Sequence, residues 1–314
     1  MTIRIALALL LIVPSAMAYP WDSDTDWWIL GGAIGVTLFV FAWWRGLFVT
    51  EMIGRVFATW RRNHSKPKPT AAGAATVVLH VEDPAGMGLS LPTVAGYVER
   101  FGVRCDKVRV TNRDDDGVRT TWISMTLRAV DNLAALKARS ADLPLSDTAQ
   151  IVGRRLADHL REDGLLAVIV DAAPTPLTGG GRERWRGVQE DSGFVSAYGI
   201  PVDAAFPGRL AELWSQPTET WTALEFGGTS AQPTVRALCA IRTAEPVRGT
   251  PIAGLRAQPG IQGRLLTALA PGSAERLDIP SSPLRQGLLE PAGWLVGGRW
   301  SVEHEIAHEA GHPA

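Results

Sequence analysis

The chain opens on two apolar stretches separated by a short acidic loop. Ile5 to Ala18 is apolar apart from Pro14 and Ser15. At about 1.5 Å per residue it reaches roughly 21 Å, short of the ~30 Å hydrocarbon core of a bilayer. Thr2, Ile3 and Tyr19 extend it and Arg4 can snorkel to the interface, so the pattern predicts a span over about residues 3–19. Trp27 to Trp44 then runs eighteen residues without a charge, which predicts a second span over 27–44. Trp27 and Trp28 open it and Trp43 and Trp44 close it. Indole rings prefer the headgroup boundary, and a buried core helix has no reason to carry paired tryptophans at both ends.

The first stretch has a rival reading. Ala16-Met17-Ala18 has the form of a signal-peptide cleavage site. Against cleavage stand the single basic residue Arg4 and a second apolar stretch only eight residues on. Orientation does not depend on the choice. Tyr19 to Asp26 holds no lysine or arginine, whereas Arg45, Arg55, Arg61, Arg62, Lys66 and Lys68 follow the second stretch. The positive-inside rule therefore places everything after Trp44 in the cytoplasm. The expected location is the inner (plasma) membrane, multi-pass, with the N-terminus and the large C-terminal domain cytoplasmic.

Residues 45–64 predict a basic juxtamembrane amphipathic helix. Leu47, Phe48, Met52, Val56 and Trp60 recur at near-helical spacing with arginines between them. Such a helix lies along an anionic leaflet or packs on a partner helix, unless it simply continues the span. Residues 65–73 form a Pro- and Lys-containing linker.

Alternation replaces helical spacing after the linker. Thr76 to Val81 reads as a strand and Pro92 to Phe101 as a helix closed by Gly102. Val108 to Asn112 and Thr120 to Leu127 read as strands joined through Asp116-Gly117, a strong hairpin signal. Ala129 to Ala138 predicts a short helix. A second helix begins at Ser146 as N-cap, presents Ala149, Val152, Leu156 and Leu160 on one face, and ends at Gly164. Leu165 to Val170 is a further strand. The order β-α-β-β-α-β is the ferredoxin-like split pattern.

The later half is less regular. Arg182 to Glu190 and Pro207 to Trp214 read as helices, and Glu219 to Phe226 with Val235 to Thr243 as an antiparallel pair. Glycine and proline supply 16 of the 55 residues from Ala244 to Gly298, which favours extended loops over long elements. The expected fold is thus an α+β cytoplasmic domain over 74–300, with a ferredoxin-like first half and an irregular β-rich second half. Two N-terminal transmembrane helices within 1–44 tether it, and a His-rich tail follows at 301–314.

Composition adds exclusions. The first seventy residues carry seven basic and four acidic side chains, so of the formal −1 overall the remainder holds −4. That balance leaves no electrostatic footprint for nucleic acid. Two cysteines, Cys105 and Cys239, cannot build a disulfide scaffold or a four-thiolate zinc site and read as reduced core thiols.

Three motifs touch on chemistry. His304-Glu305-Ile306-Ala307-His308 matches the zinc-protease pattern, in which two histidines one turn apart hold zinc and the glutamate activates water. His312 shares the same short segment, and ligands at i, i+4 and i+8 of one helix cannot converge on a tetrahedral ion. Asp114-Asp115-Asp116-Gly117 fails as a calcium loop, because Ile123 stands where the twelfth-position glutamate is needed. A solvated hairpin tip is its plain reading. Gly179-Gly180-Gly181-Arg182 lacks the lysine and hydroxyl of a phosphate loop and reads as a linker. His80 and His159 read as structural histidines. No catalytic, cofactor-binding or metal-binding residue is therefore assigned.

Several segments carry a family resemblance: Arg4-Ile5-Ala6-Leu7-Ala8-Leu9-Leu10, Tyr19-Pro20-Trp21, Trp43-Trp44-Arg45-Gly46-Leu47, Asp131-Asn132-Leu133-Ala134-Ala135-Leu136, the run Arg154 to Glu162, and Glu219 to Glu225. On these the chain resembles EccE, a membrane component of type VII (ESX) secretion machinery. The likeness is to the ESX branch linked to siderophore-dependent metal uptake. It runs to about residue 300 and leaves the tail unmatched.

The resemblance implies a noncatalytic structural subunit, not an enzyme, at the periphery of a membrane assembly with EccB, the EccC ATPase and EccD. It implies no cofactor, no nucleic acid and no small-molecule substrate. Contact with lipid and partner helices is expected through Trp27, Trp28, Trp43, Trp44, Arg45, Arg55, Trp60, Arg61 and Arg62. Two other readings remain open: a membrane-tethered zinc hydrolase using His304, Glu305 and His308, and a membrane-anchored transferase using the Asp114–Asp116 cluster.

Overall fold

A computed structural model describes residues 2–17, 19, 24–44, 47–64, 73–140, 142, 144–285 and 293–299. The chain divides into two compact units, Met1–Lys66 and Pro67–Ala314.

The first unit is helical. It contains α1 (Thr2–Met17), α2 (Asp24–Phe41), the short strands β1 (Trp43–Trp44) and β2 (Leu47–Phe48), and α3 (Val49–His64). The apolar run expected over 27–44 is not one helix. Its helix starts earlier, at Asp24, and stops at Phe41. Trp43 and Trp44 then pair with Phe48 and Leu47 in a two-residue ladder, which turns the chain into α3. Among the described residues no helix is long and apolar enough to cross a membrane.

The second unit begins with β3 (Ala74–Glu82), α4 (Leu91–Ala95), β4 (Glu99–Arg100), β5 (Val103–Asp115), β6 (Val118–Arg128), α5 (Leu133–Arg139), α6 (Leu145–Glu162) and β7 (Leu166–Val170). The strands lie in the order β7-β3-β6-β5, every neighbour antiparallel, along the expected β-α-β-β-α-β path. The helix expected over 92–101 is cut short. After Ala95 it tightens into one 3-10 turn, and Glu99–Arg100 fold back against Val103 and Arg104. α6 starts at Leu145, so Ser146 lies inside it and caps nothing; Thr148 Oγ1 donates to the Pro144 carbonyl at 2.7 Å. α6 also approaches β3 closely: a Cβ on Gly153 would lie 2.9 Å from Val77 Cγ2.

The sheet does not end at β5. The later half contributes β8 (Arg182–Arg184), β9 (Gly187–Glu190), β10 (Gly193–Gly199), α7 (Phe206–Trp214), β11 (Thr220–Gly228) and β12 (Pro233–Thr243). After these come β13 (Arg256–Ala257), α8 (Gln262–Leu269), β14 (Ser282–Pro283) and β15 (Gly298–Arg299). β11 pairs with the free edge of β5, and the order continues β11-β12-β10-β9-β8. The two halves therefore share one antiparallel sheet.

The helix expected over 182–190 is instead the β8–β9 hairpin. Gly187, the first residue of β9, is what the close approach of β10 requires, because a Cβ there would run into the Phe194 ring and stand 2.6 Å from the Val195 carbonyl. The expected pair over 219–226 and 235–243 is present as β11 and β12, with Trp221 opposite Ala240. In the Gly- and Pro-rich stretch, α8 is a helix that the composition concealed.

Strand alternation divides the core into two layers. Leu79, Val110, Ile123 and Leu224 point to a face covered by Leu91 and Val94 of α4, Leu156 and Leu160 of α6, and Phe206, Leu210 and Leu213 of α7. Trp122, Trp221, Ala223 and Leu238 point to the opposite face, under Leu265, Leu266 and Leu269 of α8. Trp122 and Trp221 stack there, 5.9 Å between centroids. Burying a side chain of this size contributes about 1.5–3 kcal/mol, so both layers are substantial sources of stability.

Candidate functional site

The nine expected contact residues fall on the helical first unit. α1 packs on α2, and the pair buries small side chains: Ala8 and Ser15 on α1, Ala33 on α2. Small residues let helix backbones approach closely. The large apolar side chains point outward. Leu10 and Met17 on α1, and Trp28 and Leu38 on α2, are each more than 65% exposed. Trp27 is exposed beside Trp28 at the start of α2. Trp43 and Trp44 lie on β1, outside the helix they were expected to close. Arg45 lies outside the described residues.

α3 exposes its apolar stripe. Ile53, Val56, Phe57 and Trp60, at helical spacing, are all more than half exposed. Phe57 and Trp60 stack at 5.8 Å. Arg55 and Arg62 on the opposite side are half-buried, Arg62 Nη2 donating to Thr59 Oγ1 at 3.1 Å; Arg61 is exposed at the stripe's flank. Trp60, Arg55, Arg61 and Arg62 thus share one helix, which joins an apolar stripe to three guanidinium groups.

The chemical motifs of the second unit resolve into structure. Asp114 is buried and accepts from Arg119 Nε at 2.6 Å; burial raises its carboxyl pKa against the opposing pull of Arg119. Asp115 accepts from Arg113 Nη2 at 2.6 Å, and Asp116 occupies the β5–β6 turn. Arginines thus occupy the first two carboxylates of the cluster. No group of histidine, cysteine, aspartate and glutamate side chains able to hold a metal is present among the described residues.

The glycine-rich loop is likewise occupied. Glu190 Oε1 accepts from the backbone N–H of Thr178 at 2.8 Å and of Gly179 at 3.3 Å, where a phosphate would otherwise be cradled. His159 Nδ1 faces the Tyr97 hydroxyl at 3.3 Å, and His80 packs beside Trp122. Cys105 and Cys239 are buried free thiols, Cys105 pushed up to about 12 by burial and Cys239 raised by the same cause. His304, Glu305 and His308 lie outside the described residues.

One cluster was missed from sequence. Lys107 and Arg109 on β5 and Glu225 on β11 are fully buried beneath the segment that follows α8. Lys107 Nζ donates to the Ser273 carbonyl at 2.6 Å and the Glu275 carbonyl at 2.5 Å. Arg109 Nη1 donates to the Ala268 carbonyl, and Nη2 to Glu225 Oε2 at 2.6 Å and the Glu275 carbonyl at 2.7 Å. Arg276 Nε donates to Asp106 Oδ2 at 3.0 Å. Arg109 meets carbonyls at the C-terminal end of α8, where the helix dipole favours a cation. The donors are spent on backbone carbonyls and Glu225, so the cluster fastens a strap and offers no open site. The available signal was Glu225 itself, which alternates onto the same face of β11 as Trp221 and Ala223, where a carboxylate needs a buried partner.

Comparison with known proteins supplies what the geometry leaves unnamed. Residues 116–200 match a family model described, provisionally, as the type VII ESX secretion system translocon EccE. The chain is 49% identical to the ESX-3 secretion system protein EccE3 of Mycolicibacterium smegmatis, over the whole of both chains. It is 44% identical to the ESX-3 secretion system protein EccE3 of Mycobacterium tuberculosis, over 98% of this chain and 94% of that one. A more distant likeness is to the ESX-2 secretion system protein EccE2 of Mycobacterium tuberculosis, 27% identical over 42% of this chain.

Proposed function

The chain belongs to the EccE family of type VII (ESX) secretion components, and from that premise we propose that it is a noncatalytic structural subunit of an ESX membrane complex. Its place is the periphery of the assembly, with EccB, the EccC ATPase and EccD as partners. Full-length likeness to proteins named for ESX-3 supports the branch linked to siderophore-dependent metal uptake.

The observation that carries this reading is the outward apolar surface of the first unit. Leu10, Met17, Trp28 and Leu38, with the stripe of α3, are exposed where a water-soluble protein would cover them. Lipid and partner helices are the surroundings that suit them. In this reading α1 and α2 are the two membrane-inserted helices. At about 1.5 Å per residue they reach roughly 24 and 27 Å, a few ångströms short of the bilayer core, a gap that local thinning and interfacial tryptophans can close. Arg61, at the flank of the α3 stripe, is then the guanidinium best placed for the anionic cytoplasmic leaflet, with Arg45, Arg55 and Arg62 as the other expected basic contacts. Residues 65–73 form a linker, 74–300 the cytoplasmic domain, and 301–314 a tail. The paired aspartates and occupied glycine-rich loop favour scaffolding over catalysis.

The test is mild-detergent extraction of the tagged chain from its host, followed by sizing and mass spectrometry. The expected outcome is recovery in a large particle with an ATPase and other membrane subunits. Recovery as a lone monomer or dimer would overturn the reading.

A further inference from the structure

Two hairpins of the sheet turn over two residues that both take positive φ. At the β5–β6 turn they are Asp116 (49°) and Gly117 (71°); at the β4–β5 turn they are Phe101 (57°) and Gly102 (71°). Turns of this kind favour asparagine, aspartate or glycine first, and a bulky side chain there costs about 1–2 kcal/mol. The first hairpin meets that demand and the second does not. Burial does not offset the cost, because Phe101 is 54% exposed.

Its ring instead lies close to two cations. The guanidinium carbon of Arg100 lies 5.1 Å from the ring centroid and that of Arg155, on α6, lies 4.7 Å away. Tyr97 meets the ring edge-on at 6.4 Å, and Arg100 also covers Tyr97 at 4.9 Å. A guanidinium stacked on a ring uses its face; its N–H donors lie in its plane and stay available. Among the described residues the Arg155 guanidinium makes no hydrogen bond or ion pair, and Arg100 reaches only His159 Nδ1, at 3.5 Å. Strained backbone, an exposed aromatic and two arginines with spare donors are the components of an interface hot spot.

We propose that Phe101, Arg100 and Arg155 form a docking point for an extended acidic segment of another subunit. A carboxylate takes the spare in-plane donors of Arg155, Arg100 adds positive charge near the same ring, and an apolar neighbour lies on the exposed part of the Phe101 ring. The surroundings favour a single carboxylate over a broad anionic surface. Glu99 precedes Arg100 in the chain, and Asp158 and Glu162 lie within electrostatic reach of Tyr97; together they would repel an acidic bilayer, whereas one carboxylate seated at Arg155 sits nearest a cation. The proposal rests on the complex-subunit reading above.

The test places a photo-crosslinking benzoylphenylalanine at position 101 of the full chain in its host. The intact particle is purified and the crosslinked peptide sequenced. The expected result is an adduct with a different subunit, on a peptide with aspartate or glutamate within a few residues of the attachment. Adding Arg155→Glu should cut its yield by roughly tenfold, the loss of about 1.4 kcal/mol. With the particle intact, no adduct, an adduct with lipid alone, a peptide without a nearby acid, or a yield indifferent to Arg155→Glu overturns the docking point. Absence of the particle in the unmodified host sinks the complex-subunit reading itself, so the two failures are distinguishable.

Discussion

Arg109 and Glu225 stand directly opposite each other on β5 and β11, fully buried and joined at 2.6 Å across the seam between the two halves of the sheet. An ion pair so placed adds little net stability over apolar packing, but breaking it leaves an uncompensated charge. Glu225→Gln keeps the shape and removes the charge. It should destabilise the second unit by about 3–5 kcal/mol in denaturant unfolding followed by tryptophan fluorescence. A loss under about 1 kcal/mol would mean that the carbonyls around Arg109 alone compensate it.

Lys107 makes stability depend on pH. Burial first, and the neighbouring Arg109 charge second, hold its pKa well below the ordinary 10.5. Between the lowered and the ordinary value the unfolded chain binds more protons than the folded one, so stability rises with pH through that window. Below both values the full penalty of the buried ammonium applies; above both it vanishes. Lys107→Met should abolish that rise while costing about 1–3 kcal/mol for carbonyls left short of a donor. Unfolding free energies from neutral pH to about 10 would show it, and parallel curves for the two proteins would refute it.

The two thiols should be silent in the native protein. Cys105 and Cys239 are buried, and both thiols are pushed up, Cys105 to about 12. Because thiolate is the reactive form, a maleimide at mildly alkaline pH should label neither until the chain is unfolded, and then both. Rapid labelling of the native protein would contradict the burial.

Trp294 pins the last described segment to the sheet. Its ring meets Trp214 edge-on at 5.4 Å, its Nε1 donates to Asn112 Oδ1 at 3.0 Å, and Leu89 N donates to its carbonyl. Trp294→Ala should cost about 3–5 kcal/mol and release the segment around it to protease. Trp294→Phe should cost less, because Asn112 Oδ1 still accepts from Thr121 Oγ1. Equal protease resistance in all three proteins would show that the anchor lies elsewhere.

The arginines of α3 give the membrane reading its own test. Near an anionic leaflet each arginine contributes about 1 kcal/mol. Replacing Arg55, Arg61 and Arg62 together by glutamine should lower recovery of the chain in the membrane complex. Undiminished recovery would remove these side chains from the proposed contact.

Legibility followed locality. Asp116-Gly117 announced its hairpin, and the spacing of Val152, Leu156 and Leu160 announced α6, because each signal sits within a few residues of what it specifies. β10 went unread: Phe194 to Tyr198 is buried on both faces, so it lacks the alternation that marks a half-exposed strand. Arg182 to Glu190 passed for a helix because Gly187 is explained only by Phe194 and Val195, on another strand. Nothing near Lys107 and Arg109 in the sequence marked them as buried, since their partners stand more than a hundred residues away. The contact residues on α3 were legible as an amphipathic pattern, but not which side of the helix would lie open.

The interleaved strand order also constrains where the chain can be divided. The stretch that matches the family model, 116–200, contains β6 and β10 but neither β3 and β5, which flank β6, nor β12, which pairs with β10. Expressed alone, it would present unsatisfied strand edges to any neighbour. Halves separated after residue 200 carry complementary edges at β5–β11 and β10–β12. Each would complete its sheet by capturing the other, so that breakpoint suits a complementation reporter and defeats a stand-alone fragment.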